Sequence, residues 1–189
     1  LATRHDPQLG GRDIDAKIVQ KYAAAFREKY PSKGDPLQNA KSVLRMTKVC
    51  QKAKTVLTPE GVTQAPIICE FPAEEIDFTM QLSLEDFEAE CVGAEFVARV
   101  KALVQGAFED SKLASKQDVT GVEIIGGTTR VRCVKRAIAE TMELDTTKQN
   151  KGLSTTLNAD ETVARGCTLA CAMLSPSLRV KALEVTDVV

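Results

Sequence analysis

A double glycine, Gly126 and Gly127, constrains the fold of this chain more than any other feature. It follows the apolar run 122–125 and precedes the hydroxyl-rich turn 128–130, which predicts a buried strand, a tight turn and the start of a helix. Glycine tolerates a positive φ and has no Cβ, so a ligand can approach the backbone, and the first N–H groups of a helix attract anions. The turn therefore suits a phosphate or a nucleotide, although the same turn also serves close packing alone.

The composition favours a folded protein without a nucleic-acid or membrane partner. The 189 residues are 43% hydrophobic, enough for one domain or two small lobes. The net charge is −1, from 25 basic and 26 acidic residues. The basic residues are scattered and form no cluster that would attract the phosphate backbone of a nucleic acid. No apolar run approaches the roughly 20 residues that span a bilayer. Because the first residue is Leu1 rather than Met, we expect a soluble piece of a longer protein.

The cysteines predict a reducing, cytoplasmic compartment. There are 6 of them, with no C-x-x-C pair and no dense regular spacing of the kind found in secreted disulfide scaffolds. Cys167 and Cys171 lie one helical turn apart and could ligate a metal or form a strained bridge. No histidine accompanies them, so we interpret both as small buried core residues.

The first predicted helix follows Gly10–Asp13 and ends before Pro31, with apolar residues recurring every three to four positions. Its start carries two carboxylates, Asp13 and Asp15, which could be a metal-binding pair. Residues two apart on a helix point about 200° away from each other, so they do not converge on one ion. We assign them to the helix start.

A second helix is predicted from Asp35 as N-cap and Pro36 as the first helical residue, with an apolar stripe running to residue 57. Beside this stripe, Gln51, Lys54 and Thr58 form a polar edge at helical spacing. A solvent-exposed face is the simplest interpretation of such an edge.

An antiparallel hairpin is predicted next, from runs 65–71 and 76–82. Ser83 with Asp86 caps a third helical segment, which is interrupted at Gly93.

The last third of the chain carries two further predicted helices. One follows the glycine turn, over 131–142, and the other begins at a capping box formed by Asn158 and Glu161. The tail 178–189 alternates well enough to be a strand, and it could also be a linker.

Separate blocks of the sequence resemble one family. They are, in chain order, GGRDID at 10–15, residues 48–58, VEIIGGTTR at 122–130, LSTTLNADE at 153–161 and ARG at 164–166. Together they resemble lobe II, the C-terminal half of the nucleotide-binding domain of the 70-kDa heat-shock chaperone superfamily, and look most like its 110-kDa branch. The resemblance implies an α/β fold: an actin-like ATPase (ribonuclease H-like) lobe II fragment, with a helical subdomain that carries a small antiparallel sheet.

The resemblance also implies a division of the chain. Its parts are a truncated lead-in strand or loop at 1–11, a helical and antiparallel-sheet subdomain (IIB-like) at 12–115, an adenosine-contacting β/α subdomain (IIA-like) at 116–176, and a C-terminal strand or linker at 177–189. Strands that would precede Leu1 are not in this chain, so we expect an exposed apolar edge or patch.

By motif match, the glycine turn would contact the nucleotide. Gly126 and Gly127 would admit the phosphates and ribose to the backbone, and Thr128 would offer a hydroxyl near the adenine. Arg130 would lay its planar, weakly hydrated guanidinium against the adenine ring.

Four other positions complete the implied site. Lys54 matches a lysine that reaches the ribose, Thr58 a hydroxyl residue near the base, and Asp160 an acidic residue bordering the adenosine pocket. Gln51 stands where the family commonly has a ribose-binding glutamate, and Thr55 where a second basic residue often occurs. Replacing a charged hydrogen-bonding group by a neutral amide costs on the order of 1 kcal/mol, so we expect weaker or altered nucleotide affinity.

The resemblance implies ATP or ADP as the cofactor of the intact domain, with Mg²⁺ supplied by residues that precede Leu1. This chain has no implied catalytic or metal-binding residue, and phosphoryl transfer needs positioned charge and metal around the γ-phosphate. We therefore expect the chain alone not to hydrolyse ATP.

Two functions are open. The first is the adenosine-side lobe of the ATP-binding domain of a large heat-shock chaperone, which assists the folding of unfolded client proteins bound by other domains. The alternative is a docking lobe of a nucleotide-exchange co-chaperone that acts on the 70-kDa heat-shock chaperone and has little ATPase activity of its own.

Overall fold

The computed structural model describes residues 2–71, 76–145, 147–148, 152–178 and 181. The helices and strands come in the following order: α1 Gly11–Lys29, α2 Ala40–Val56, β1 Gln64–Phe71, β2 Ile76–Ser83, α3 Leu84–Asp86, α4 Gly93–Asp110, α5 Arg132–Thr141 and α6 Thr162–Leu174. Short 3₁₀ turns precede α2 and α5, and a π-helical segment joins α3 to α4.

Helix α1 forms where the sequence predicts it. The Asp13 carboxylate accepts the Gly10 backbone N–H at 2.8 Å and so satisfies a donor at the helix start. Most of the apolar stripe is fully buried, including Ile14, Ile18 and Phe26, and Ala25 is partly buried. One face of α1 therefore lies in the core, as its periodicity predicts.

The predicted start of the second helix is wrong. Asp35 caps only a short 3₁₀ turn, Pro36–Gln38, by accepting the Leu37 N–H at 3.0 Å. Asn39 is extended, with φ −103° and ψ 113°, and its side chain accepts the Lys41 N–H at 3.0 Å. Because Asn39 provides a second N-cap, the 3₁₀ turn ends at Gln38 and α2 begins separately at Ala40.

The hairpin is confirmed. Strands β1 and β2 pair antiparallel, with Ile67 opposite Met80 and Cys69 opposite Phe78. Alternate residues face inward: Ala65, Ile67, Cys69, Phe78 and Leu82 are all buried. The buried face of β1 packs against α2, so the sheet has one core face and one outer face.

An aromatic cluster joins α1 to the hairpin. The rings of Tyr22 and Phe26 lie 4.9 Å and 5.6 Å from that of Phe78, measured between ring centroids. The Tyr22 hydroxyl donates to the Phe78 carbonyl at 2.5 Å, so its polar atom is satisfied inside the core. Burial raises the pKa of Tyr22 well above its ordinary value, which keeps this donor protonated.

The third helical segment begins and breaks where expected. The Ser83 hydroxyl accepts the Asp86 N–H at 3.0 Å, which confirms the predicted cap. The π-helical segment Phe87–Val92 then ends at Gly93, whose φ of +78° favours glycine. Helix α4 continues from there and packs against α5.

The apolar run before the glycine turn is not the predicted buried strand. It forms one parallel bridge, between Glu123 and Ser154, with the Ile124 N–H donating to the Ser154 carbonyl at 3.0 Å. The run is half-buried, and Ile125 is 37% exposed. Within the described residues, the segment around Ser154 is its one backbone partner, and a chain paired on a single edge is not enclosed.

Helix α5 also begins later than predicted. Residues Gly127–Arg130 form a 3₁₀ turn, Val131 is extended with φ −66° and ψ 128°, and α5 starts at Arg132. The apolar face of α5 is buried, including Val134 and Ala137, so the predicted core face is confirmed.

Two predictions about α6 are wrong. Asn158 and Glu161 do not form a capping box: the Asn158 side chain accepts the Asp160 N–H at 3.0 Å, and α6 begins after Glu161 without a side-chain cap. Cys167 and Cys171 are exposed rather than buried. Helix α6 has no buried residue, and its apolar residues Val163, Leu169 and Leu174 are exposed in the described structure.

The exposed apolar residues of α6, Val163, Leu169 and Leu174, form a face of their own. The apolar edge expected in the sequence analysis remains a prediction. Of the tail 178–189, only Leu178 and Lys181 belong to the described residues, so strand and linker remain alternatives there. The described helices include none long and apolar enough to cross a bilayer. The subdomain boundaries of the sequence analysis remain predictions.

Candidate functional site

The predicted site residues converge on a cavity of about 380 Å³, here called the inner cavity. It lies between the start of α1, the end of α2 and the 3₁₀ turn before α5. The predicted residues that line it are Gln51, Lys54, Thr58, Gly127, Thr128 and Arg130. Helix α2 and the glycine turn are far apart in sequence, and only the fold brings them together.

A larger space of about 1010 Å³, here called the outer cleft, adjoins the inner cavity. Thr58 and Arg130 line both, and Gly126 lines the outer cleft together with residues 153–159. Asp160 lines neither cavity. It is exposed and follows directly after Ala159, which lines the outer cleft.

The double glycine is not required for packing within the described chain. A Cβ added at Gly126 or Gly127 would meet no atom within 4 Å. Gly126 has a φ of +101°, which favours glycine, and its carbonyl accepts the Thr129 hydroxyl at 2.7 Å. Of the two interpretations of this turn, the open space above the backbone favours approach by a ligand over close packing.

Among the glycines at the two cavities, Gly11 is the one that packing requires. A Cβ there would lie 2.7 Å from Thr128 Oγ1 and 3.2 Å from Lys54 Nζ. Gly11 thus lets the start of α1 meet both the glycine turn and the end of α2. It was not among the predicted site residues, although it belongs to the GGRDID block that carries the resemblance.

Lys54 is held by α1. Its Nζ donates to the Gly11 carbonyl at 3.1 Å and lies 2.7 Å from Asp15 Oδ1, and the two charged side chains are only 14% and 11% exposed. The interpretation of Lys54 as part of a solvent-exposed face is therefore wrong. So is the assignment of Asp15 to the helix start, because that role belongs to Asp13 and Asp15 is a buried ion-pair partner.

The remaining polar edge of α2 is less enclosed. Gln51 is exposed at the cavity rim, and its carbonyl accepts the Thr55 hydroxyl at 3.1 Å. The Thr58 hydroxyl donates to the Thr55 carbonyl at 2.8 Å. Arg130 is exposed between the two cavities, where a planar group could stack on its guanidinium.

Glu123 holds one wall of the outer cleft through hydrogen bonds to Leu157 and Thr156, which line it. Its carboxylate accepts the Leu157 N–H at 2.8 Å and the Thr156 hydroxyl at 3.2 Å. These hydrogen bonds, with that of Leu157 first and one from Ser154 next, hold the pKa of Glu123 below its ordinary value. Sequence reasoning did not include Glu123, because nothing in the pattern showed which way its side chain points.

No group of three His, Cys, Asp or Glu side chains that could hold a metal ion occurs in the part of the chain that the structure describes. The charged groups at the cavities are single side chains or ion pairs. Their arrangement can bind polar and planar groups, and no nucleophile with an adjacent base lies among the lining residues.

Comparison with known proteins decides the family. The family model described as Hsp70 protein matches residues 1–189. The chain belongs to the Hsp70 family. This confirms the predicted superfamily and, with it, the actin-like ATPase fold class, here seen as helices with a small two-stranded antiparallel sheet. The finer placement in lobe II remains a prediction.

Relatives of this Hsp70-family chain cover all of its length. It is 35% identical over 189 residues to human heat shock 70 kDa protein 4L and 36% identical over 189 residues to human heat shock 70 kDa protein 4, in each case 21% of the relative. It is 39% identical over 188 residues to a heat shock protein homolog of Eremothecium gossypii, 25% of that protein. The chain thus spans between a fifth and a quarter of the length of these relatives.

Proposed function

We propose that this chain forms the adenosine-side wall of the ATP and ADP site in a large heat-shock chaperone that assists protein folding. The observation that carries the proposal is the convergence of Lys54, Thr58, Thr128 and Arg130 on the inner cavity from distant parts of the chain. These positions were selected from sequence motifs alone. Lys54 and Thr58 come from the end of α2 and Thr128 and Arg130 from the glycine turn, so two segments distant in sequence meet at this cavity.

The chemistry of the cavity suits an adenosine group. Its volume of about 380 Å³ lies in the range of roughly 300–1,000 Å³ that small-molecule sites occupy. In the proposal, the exposed Arg130 guanidinium stacks on the adenine ring, Thr58 and Thr128 offer hydroxyls to its edge, and Lys54 reaches the ribose. Gly126 and Gly127, with open space above them, admit the phosphate end.

Other parts of the longer protein complete the proposed function. Mg²⁺ and the groups that transfer the γ-phosphate come from outside this chain, because phosphoryl transfer needs metal and charge that the cavity residues do not provide. Unfolded clients bind through other domains, and the location is cytoplasmic. Free thiols at all 6 cysteines support a reducing compartment.

A second candidate function is the docking lobe of a nucleotide-exchange co-chaperone for the 70-kDa heat-shock chaperone. One observation favours it. Gln51 is neutral and Asp15 already compensates the charge of Lys54, so this wall holds nucleotide with less charge-assisted hydrogen bonding than a Glu and a free Lys would provide. A co-chaperone with little ATPase activity of its own would tolerate that loss.

The first test is nucleotide binding by the full-length protein, measured by titration calorimetry with ADP. Arg130→Ala should weaken ADP binding roughly 2- to 30-fold, because stacking of a cation on a ring contributes about 0.5–2 kcal/mol. Lys52→Ala is the matched control, since Lys52 is an exposed cation on α2 that lines neither cavity. Equal affinities for both variants would contradict the adenosine site.

The second test separates the two functions. A pull-down of the 70-kDa chaperone by the full-length protein, with and without ATP, should recover the partner only if the docking function holds. ADP binding without any recovered partner would favour the chaperone ATPase.

A further inference from the structure

The pair of Asp15 and Lys54 is the most enclosed ion pair among the described residues. Both side chains are almost buried, and both line the inner cavity. Of the two, only Lys54 has been assigned a contact with the nucleotide, and Asp15 has so far only compensated its charge.

The geometry leaves Lys54 able to donate a further hydrogen bond. An ammonium group has three N–H donors. The Gly11 carbonyl takes one at 3.1 Å, and Asp15 Oδ1 at 2.7 Å faces at most one other. At least one N–H of Lys54, a residue that lines the inner cavity, is therefore used by neither Gly11 nor Asp15.

The charges of the pair largely cancel beyond it. A lone ammonium attracts a phosphate over many ångströms, whereas an ammonium 2.7 Å from a carboxylate presents a dipole whose field falls off faster with distance. The N–H groups of Lys54 keep their short-range directionality. The paired lysine is thus a better donor to a neutral hydroxyl than a charge for holding an anion.

We propose that Asp15 is a positioning residue that fixes the Lys54 ammonium as a hydrogen-bond donor for neutral hydroxyl groups, so that the pair sets the ribose selectivity of the inner cavity. This inference rests on the adenosine site proposed above. Gly11 contributes by aiming the ammonium with its carbonyl, and its missing Cβ leaves the space that Lys54 Nζ occupies.

The test compares two ligands, ADP and 2′,3′-dideoxy-ADP, which differ only in the ribose hydroxyls. Affinities are measured by titration calorimetry on the full-length protein. Wild type should bind ADP about tenfold more tightly, because a hydrogen bond from a charged donor is lost with the hydroxyls. Asp15→Asn should reduce the ratio of the two affinities, ADP over 2′,3′-dideoxy-ADP, to below about twofold. Lys54→Met should do the same.

Asp13→Asn is the matched control. Asp13 lies at the same helix start but accepts only the Gly10 N–H at the surface, so the ratio should stay near its wild-type value. A general weakening of the α1 start would lower both affinities together and leave the ratio unchanged. The ratio therefore reports positioning rather than stability.

A second variant guards against loss of folding. In Asp15→Asn/Lys54→Gln both charges are removed and an amide donor stays in place, so no uncompensated charge is buried. This double variant should retain a ratio of about threefold, clearly above that of Lys54→Met. If the double variant shows the same low affinity ratio between ADP and 2′,3′-dideoxy-ADP as Lys54→Met, the inference is overturned. Lys54 would then act through its charge.

The remaining outcomes separate this inference from the proposed function. If Lys54→Met abolishes the ratio but Asp15→Asn does not, Asp15 has no positioning role and the adenosine site stands. If wild type binds both ligands equally, Lys54 does not donate to the ribose hydroxyls and the inference fails. The proposed ADP site is not contradicted by that result. If wild type binds no ADP, the proposed function fails and this inference fails with it.

Discussion

The two ends of the described structure use the same helical periodicity with opposite results. Helix α1 buries most of its apolar stripe against α2 and the hairpin, with Tyr22 and Phe26 both 0% exposed. Helix α6 has an apolar face of similar spacing, yet Val163 is 70% and Leu174 86% exposed. Periodicity specifies which side of a helix is apolar, whereas burial requires a second surface that covers this side.

The largest effect should follow from removing the aromatic centre of the buried end. Phe78→Ala deletes a ring that is 3% exposed and contacts Tyr22 and Phe26, so it should lower the free energy of unfolding by about 3–5 kcal/mol. Urea titration followed by circular dichroism measures the loss. Val163→Ala on α6 is the control and should change stability by less than about 0.5 kcal/mol. Equal losses would show that α6 is also packed.

Thiol reactivity distinguishes the two ends next. Burial raises the pKa of Cys133 to about 11 and that of Cys50 to about 12, so at pH 8 roughly 0.1% or less of these thiols is ionised. Cys167 and Cys171 are exposed. In the 189-residue chain they should react with iodoacetamide at least ~100-fold faster, as measured by peptide mass spectrometry. Uniform labelling would contradict the difference in packing.

Two glycines at the cavity provide a smaller and sharper test. Gly11→Ala places a Cβ 2.7 Å from Thr128 Oγ1 and should cost about 1–3 kcal/mol of unfolding free energy. Gly127→Ala meets no atom within 4 Å and should be nearly neutral in stability. Differential scanning calorimetry compares the two. A neutral Gly11→Ala would mean that α1 and the glycine turn do not touch.

The smallest effect should be the pH dependence at the outer cleft. The pKa of Glu123 is lowered in the folded chain, chiefly by the Leu157 N–H. Its contribution to stability is therefore present above the pKa of an unfolded glutamate, about 4.3, and is lost as pH falls through the lower folded value. Stability curves of wild type and Glu123→Gln should differ at pH 7 and converge as the pH falls through the lowered pKa of Glu123. Parallel curves would show that the hydrogen bonds of the Glu123 carboxylate do not stabilise the folded chain.

Local signals in the sequence predicted much of the secondary structure. The cap at Ser83, the break at Gly93 and the hairpin pairing each depend on a few adjacent residues, and all are confirmed. The start of α2 was misplaced because two capping residues, Asp35 and Asn39, lie close together and either can begin a helix. Competition between neighbouring signals of similar strength is not resolved by pattern alone.

Long-range facts escaped the sequence. The helix pattern excluded Asp15 as a metal partner of Asp13. It could not show that Asp15 would form a nearly buried ion pair with Lys54, which lies on another helix. The exposure of Cys167 and Cys171 was likewise missed, because small residues on an apolar face are buried only where another element covers them.

The sequence by itself determined the family, the order of the helices and the hairpin, and the motif positions that became site candidates. The tertiary structure alone decided that the end of α2 meets the glycine turn across Gly11, and that Asp15 compensates the charge of Lys54 there. The physical reason is that capping and periodicity act over a few residues. Ion pairs and cavities depend on contacts between elements that the sequence separates.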